Sequence, residues 1–393
     1  MKYAFFPLAL TLLACAYSCK EKPNEVVPPK SDPEPTLVYD TTSHNITWFA
    51  DTLGDYGQEL NDIWAADSVN FYAVGSINIS SDPNRIPRSI IKWNGTDWID
   101  LPEVGYGQSQ QLSNTGKSIF GFSNTDIWIA GVSRANGTVS LQGEGYPFSH
   151  FNGTNWTTVT APTPPWDIFG IRVNIYDMWG SDPNHLWAVG DSGLVYFWNG
   201  SNWRKQAVPQ IVVDKGFHLQ RVRGVSHNEV YVTGTSLFDG TILLKFDGVK
   251  WDIIYLSPHF VSNQPFFLGN TIYGEWQMGN KIEKKLWLFA DNLYEWDRQA
   301  SPSQMTWSII NGFNLQAFGS GIDATKGSNI FSTSKRQIAH WNGVSWKKFV
   351  DVAPNLQGNI HFLRIAVKGK TLAGVGRNFD SFSRPYVLIG KQE

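Results

Sequence analysis

A short phrase recurs along this chain and constrains the fold more than any other feature. It reads aromatic, Asn or Asp, Gly, two variable residues, Trp. Copies stand at Trp93-Asn94-Gly95-Thr96-Asp97-Trp98, Phe151-Asn152-Gly153-Thr154-Asn155-Trp156 and Trp198-Asn199-Gly200-Ser201-Asn202-Trp203. Two more stand at Phe246-Asp247-Gly248-Val249-Lys250-Trp251 and Trp341-Asn342-Gly343-Val344-Ser345-Trp346. A degenerate copy, Trp296-Asp297 followed by Thr306-Trp307, has a lengthened turn. Asn-Gly or Asp-Gly between apolar runs is a strong hairpin signal, because it supplies residues that accept positive φ. Each copy therefore predicts a tight hairpin with aromatic residues on both strands, with positive φ expected at both central residues.

Two further signatures precede each hairpin. One is Asn70-Phe71-Tyr72-Ala73-Val74-Gly75, with counterparts at Asp126–Gly131, His185–Gly190 and Glu229–Gly234. Weaker copies are Lys285–Phe289, Asn329–Phe331 and Thr371–Gly376. Eight residues earlier stand Asp62-Ile63-Trp64, Ser118-Ile119-Phe120 and Asp177-Met178-Trp179. Every unit thus offers four short strands, a to d. The spacings between the terminal Trp residues are 50, 58, 47, 48, 56 and 39, lengths that fit four-stranded propeller blades.

The count closes on itself. Ile46-Thr47-Trp48-Phe49 reads as a d strand without a, b or c before it. The C-terminal runs at Leu363, Thr371–Gly376 and Tyr386–Ile389 read as a, b and c without a d after them. Joined, they make one more unit and remove two exposed sheet edges. The expectation is an all-β, seven-bladed β-propeller of four-stranded blades over residues 44–393, the last blade closed by the N-terminal strand. In these motifs the sequence resembles the secreted bacterial seven-bladed β-propellers that repeat Trp-Ala-Val-Gly and Asn-Gly-x-x-Trp. That resemblance speaks to the fold and little to activity.

The N-terminus reads as an address. Met1-Lys2 is followed by an apolar run from Tyr3 to Ala14, too short to span a bilayer and of signal-peptide length. Both cysteines, Cys15 and Cys19, end that run, a placement that resembles the lipobox of bacterial lipoproteins. Ala16-Tyr17-Ser18-Cys19 followed directly by charge is similar to surface lipoproteins of Bacteroidetes, so Cys19 is the preferred lipidation site and Cys15 the alternative. This implies export and a lipid anchor in the bacterial cell envelope, at the outer membrane or cell surface, with residues 1–19 as the signal. Residues 20–43, rich in proline, then form an extended tether reaching about 70 Å.

Abundant aromatics and low charge (17%) exclude a disordered chain. A net charge of −2 gives no basic surface for nucleic acid. Most Trp residues fall in repeat slots and read as packing between blades rather than sugar platforms. The informative exceptions are arginines. Arg223 in the fourth unit and Arg364 in the last fall where the others have Trp64, Phe120 and Trp179, and Arg221 lies beside them. On channel-lining strands they are candidates to grip a carboxylate or phosphate, or else to pair with Asp62, Asp177 or Glu275. The d–a and b–c connections are long and emerge on one face, where irregular loops usually carry function. Their aromatics Tyr106, Tyr146, Phe148 and Trp166, with Phe266 and Phe267, would rim a ligand site floored by the arginines.

Several chemistries lack their residues. There is no His-Glu-x-x-His or paired-Cys metal motif and no Gly-x-Ser-x-Gly elbow. Gly116-Lys117-Ser118 lacks the first glycine of a phosphate loop and precedes a strand. The hairpins sit where sialidase-type propellers have Asp-boxes but lack the Asp-x-Gly-x-x-Trp wording. No catalytic residue, cofactor or metal is expected. The expected role is a monomeric, non-catalytic envelope protein that binds a carbohydrate or a protein partner. A carbohydrate-active enzyme and a structural adhesion scaffold are the alternatives.

Overall fold

The computed structural model describes residues 41–393, apart from 78, 80–87, 102–104, 107–109, 112–115, 132–145, 163–173, 237, 258–276, 279–284, 290–292, 302–305, 309–320, 335 and 379–383. The chain is an all-β propeller of four-stranded antiparallel blades. Blade 1 comprises Glu59–Ala65, Phe71–Ile77, Arg88–Trp93 and Trp98–Asp100, and blade 2 comprises Gly116–Ser123, Asp126–Gly131, Tyr146–Phe151 and Trp156–Ala161. Blade 3 is Ile175–Asp182, His185–Gly190, Val195–Trp198 and Trp203–Lys205. Blade 4 is His218–Ser226, Glu229–Ser236, Gly240–Phe246 and Trp251–Ser257. Blade 5 is Ile322–Lys326, Asn329–Ser334, Gln337–Trp341 and Trp346–Val350. Blade 6 joins Ile360–Lys368, Thr371–Asn378 and Tyr386–Gln392 to the N-terminal strand Ile46–Thr52.

Among the described residues these are six complete blades where seven were expected. Between blades 4 and 5 lies a further four-stranded sheet whose described a strand is Gln277–Met278, paired with Phe289 and Leu288. Its hairpin is the degenerate copy that lacks the Asn-Gly turn, so the local signal that pins register elsewhere is missing there. The inner strands neighbour one another in a ring, from blade 1 through blade 4, across Gln277–Met278, to blades 5 and 6 and back to blade 1.

Closure follows the pattern read from the termini. Ile46 to Thr52 pair in register with Gln392 to Tyr386. The segment leading into that strand is fastened to blade 5. Thr42 Oγ1 donates to the Ser328 carbonyl at 2.9 Å, and His44 Nδ1 lies 2.9 Å from His340 Nδ1. His340 Nε2 lies 2.8 Å from Asn329 Oδ1. A proton on Nε2 of His340 satisfies both contacts, with His44 donating to His340 Nδ1.

The recurrent hairpins differ from the two-residue turn that Asn-Gly suggests. Trp93 pairs directly with Trp98, which leaves a four-residue loop. Only the glycine is left-handed (φ 103° at Gly95), while Asn94 Oδ1 accepts the N–H groups of Thr96 and Asp97 at 3.0 and 2.9 Å. The same side-chain cap recurs at Asn152, Asn199, Asp247 and Asn342. The Asn or Asp is thus present for its acceptor oxygen, which closes the turn on its own backbone.

Blades pack through aromatic residues taken from facing slots. Trp128 on the b strand of blade 2 meets Trp198 and Trp203 of blade 3 at centroid distances of 5.0 and 5.6 Å. Trp187 on blade 3 meets Phe246 and Trp251 of blade 4 at 4.8 and 5.3 Å. Tyr231 of blade 4 meets Trp296, and Trp287 meets Trp346, in the same way. His150 and His340, in equivalent c-strand positions, stack on Trp128 and Phe331 at 4.0 and 4.3 Å. Nearer the axis, the rings of Trp64 and Trp179 lie over Gly121 and Gly224 of the following blades. A Cβ on Gly224 would stand 2.3 Å from the Trp179 ring, inside any real contact.

The connection from Val208 to Gln220, expected as an open functional loop, is a folded cap. Gln210–Asp214 forms one helical turn, and Val212 and Phe217 are buried in the core shared by blades 3 and 4. Another d–a connection, after Val350, is held by Arg336, whose guanidinium donates to Asp351 Oδ1 and to the carbonyls of Ala353 and Leu356 at 2.6–2.9 Å. Among the described residues no helix is long and apolar enough to cross a membrane.

Two outcomes follow from this packing. Gly224→Ala pushes Cβ into the Trp179 ring and costs about 1–3 kcal/mol by overpacking, measured as a lower urea midpoint at unchanged slope. The second concerns pH. His340 is pushed down to about 3, by burial first and then by His44 and Lys347, and His44 is lowered in the same direction. A base with a depressed folded pKa contributes stability that is complete above its unfolded value of about 6.5 and is lost as pH falls from there toward 3. Calorimetric Tm should therefore drop between pH 7 and 5, and His340→Phe, although weaker at pH 7, should show a flatter decline.

Candidate functional site

The inner strands enclose a cavity of about 510 Å³ near the propeller axis. One side is walled by Trp64, Phe120, Phe122 and Trp179 of blades 1 to 3, and the opposite side by small residues, Ala324, Ala366 and Gly369 among them. The inner-strand slot explains this asymmetry. It holds Trp64, Phe120 and Trp179 in three successive blades but Arg223, Asp323 and Ala366 in the later ones, so rings fill one half of the channel and leave the other open. The cavity runs to Lys368 and Gly369, which are exposed, at the end where the short a–b turns lie. It is therefore toward the short-turn face, not the long-loop face that loop lengths suggested.

Three buried aspartates line it: Asp62, Asp177 and Asp323. Each accepts a backbone N–H from the inner strand of the next blade. Ile119 N donates to Asp62 at 3.0 Å, Val222 N to Asp177 at 2.9 Å and Val367 N to Asp323 at 2.6 Å. Asp62 and Asp323 also accept the N–H of the residue that follows them, at 2.9 and 2.7 Å. Asp62 and Asp177 follow β-bulges, after Leu60 and Ile175, which turn the side chain toward the neighbouring blade. Burial pushes Asp62 up to about 7, and the charge of Asp177 adds to that rise. The N–H groups of Ile119 and Ile63, and the Arg221 charge, only partly oppose it.

The three predicted arginines are drawn to the axis, but not as one cluster floor. Arg223 lines the cavity and is bound to Asp177 Oδ2 at 2.5 Å, the pairing weighed from the sequence. Arg364 Nε stands 3.9 Å from Asp62 Oδ1, and its Nη1 donates to the Leu363 carbonyl. Arg221 is buried and donates to the Gln220 carbonyl. Strand pairing also corrects the slot of Arg364. It opposes Val375 and so sits level with Arg221 and Asp62, while Ala366 takes the position of Trp64. Blades 2 to 5 carry a register shift beside the a–b turn that blade 6 lacks, so Ala366 stands seven residues before its partner Ala373 and a count of eight overshoots it.

The predicted rim aromatics divide. Tyr146 and Phe148 lie on a regular strand of blade 2 and are buried against blade 3, where Phe148 stacks on Trp203 at 4.1 Å. They are core residues, because the blade 2 c strand begins before the loop was expected to end. Tyr146 donates its hydroxyl to the Gly131 carbonyl at 2.8 Å. Tyr106 lies on a two-residue strand, Gly105–Tyr106, paired with Gln110–Gln111. Trp166, Phe266, Phe267, Glu275, Cys15 and Cys19 lie outside the described residues. Sequence reading named Asp62 and Asp177 only as alternative partners of the arginines and missed Asp323, which stands in the slot of Trp64 and carries no Asp-Ile-Trp or Asp-Met-Trp signal.

No family model and no curated protein sequence matches this chain. Solved structures do resemble it in fold. YCF48 bound to D1 peptide superposes with a TM-score of 0.56 at 14% identity, covering 90% of this chain and 100% of that one. YCF48 from Cyanidioschyzon merolae gives 0.56 at 14%, over 88% and 99%. The WD40 β-propeller domain of Doa1 gives 0.53 at 11%, over 90% and 97%. At these identities the likeness establishes a β-propeller, a scaffold on which unrelated functions are built.

The Arg223–Asp177 pair yields a direct test. Asp177→Ala removes the partner of a largely enclosed guanidinium and the acceptor of the buried Val222 N–H together. The expected loss is about 3–5 kcal/mol. Urea unfolding should show it, and Asp177→Ala/Arg223→Met should recover a substantial part.

Proposed function

We propose that this chain is a non-catalytic propeller scaffold whose axial cavity receives a basic side chain from a partner protein. The observation that carries this reading is the composition of the cavity: an aromatic wall of Trp64, Phe120, Phe122 and Trp179 beside three buried carboxylates, Asp62, Asp177 and Asp323. Lys and Arg side chains suit such a site, with the stem against the rings and the cation toward the acids. The use of each aspartate as a clamp on the next blade's backbone supports binding over hydrolysis. A carboxylate that accepts two N–H groups from the frame is poorly placed to act as a mobile acid or nucleophile. YCF48, a protein of similar fold, has been solved with a peptide bound, which agrees with this use of a propeller.

The same proposal includes the finer architecture and the address. The reduced sheet between blades 4 and 5 completes a seven-bladed ring. The N-terminal Cys19, or Cys15, carries lipid and holds the propeller on the bacterial envelope by the proline-rich tether. Both rest on the sequence repeats and the lipobox-like run.

Binding is tested with two fluorescent hexapeptide pools, one bearing Arg or Lys and the other Glu at matched positions, by anisotropy on the full chain. The basic pool should bind, and Asp62→Asn should weaken it. Affinity should rise as pH increases through about 7, because a cation prefers the deprotonated Asp62, and the variant should lose that dependence. Preference for the acidic pool, or binding of glycans with no peptide binding, would overturn the reading. Lipidation is read separately: Cys19→Ser should abolish radiolabelled palmitate incorporation in a Gram-negative host, and loss only with Cys15→Ser would move the site.

A further inference from the structure

We propose that Asp182, His185 and His227 form a divalent transition-metal site bridging blades 3 and 4. Asp182 ends the inner strand of blade 3 and His185 opens its second strand, the two facing each other across the a–b turn. His227 lies in the corresponding turn of blade 4, between Ser226 and Glu229. One ligand atom from each of the three falls within 4.8 Å of the others. Their sequence separation hides the group, which exists only because neighbouring blades bring equivalent turns side by side.

The local geometry is that of a partly assembled chelate. Asp182 Oδ1 and Oδ2 lie 2.8 and 2.9 Å from His185 Nδ1. The carboxylate is fixed by Ser181 Oγ at 2.9 Å and by the Asn184 N–H at 3.0 Å. The rings of His185 and His227 lie nearly parallel, 24° apart with centroids at 4.5 Å. His185 is backed by Phe197, while His227 is exposed and free to turn. A tetrahedral ion bound at 2.0–2.2 Å needs ligand atoms roughly 3.3 Å apart. The ligand atoms lie within 4.8 Å of one another, and turning the exposed His227 side chain is the adjustment the site would require. His185 coordinates through Nδ1 once its proton sits on Nε2, and the fourth position stays open to water or to a group from outside.

The ligand set selects the ion. Two imidazoles and one carboxylate suit Zn²⁺, Co²⁺, Ni²⁺ or Cu²⁺, whereas Mg²⁺ and Ca²⁺ require mostly oxygen ligands. The site is independent of the axial cavity and does not rest on the function proposed for it.

The test uses the full chain with both cysteines alkylated, so that thiolates do not compete. Co²⁺ titration should give a saturable visible absorption band at one equivalent, which Zn²⁺ bleaches, and Zn²⁺ should raise Tm while Mg²⁺ and Ca²⁺ do not. His227→Ala should weaken Zn²⁺ binding about tenfold or more and leave the Tm of the metal-free protein unchanged, since that side chain is exposed. His185→Gln should do the same to binding. The absence of a Co²⁺ band, equal Zn²⁺ affinity in wild type and His227→Ala, or equal stabilisation by Ca²⁺ would each overturn the site.

Discussion

The lateral contact between one blade and the next is the interaction on which the structure depends. A twisted four-stranded sheet cannot bury both faces alone, so each blade is stable only between two others. Here the contact is made at two radii. Away from the axis, a b-strand aromatic enters the angle between c- and d-strand aromatics of the following blade, as Trp187 does against Phe246 and Trp251. Near the axis, aspartates clamp the next inner strand through its amides, as Asp62 does at Ile119. The outer contact supplies apolar burial, and the inner one supplies direction, because a hydrogen bond fixes how far one strand slides past another.

Much of this was legible in the sequence, and for a definite reason. Asn94, Gly95 and Trp98 perform local tasks that depend on residues within one hairpin, so their spacing survives as a readable phrase. The closing strand was legible because Ile46–Phe49 and Tyr386–Ile389 were incomplete units that complemented each other. The turn chemistry was misread at Asn94, since the same dipeptide serves a two-residue turn or a four-residue capped loop.

The site was far less legible. Arg223 was placed correctly because it breaks a slot pattern that can be counted. Arg364 was misplaced because the a–b turn of blade 6 lacks the register shift that the turns of blades 2 to 5 carry, which no count reveals. Tyr146 and Phe148 looked like loop aromatics because sequence does not mark where a strand begins after a long connection. The clamp of Asp323 on the Val367 amide, the cavity beside small residues, and the meeting of His185 with His227 arise between blades. Such relations depend on the angle between sheets, which no stretch of one blade encodes.

The closing blade has a mechanical consequence. Ile46–Thr52 is bound along its length to Tyr386–Gln392, and Thr42 and His44 fasten the preceding residues to blade 5. Tension applied to the chain ahead of Thr42 reaches these two side-chain fastenings before the ladder. Once they yield, a pull along the strand loads its hydrogen bonds together as shear, whereas an outward pull peels them one at a time. The seam therefore behaves as a clasp whose strength depends on the direction of the load. A propeller loaded along its closing strand would keep its ring closed under forces that would open it if the load pulled that strand outward.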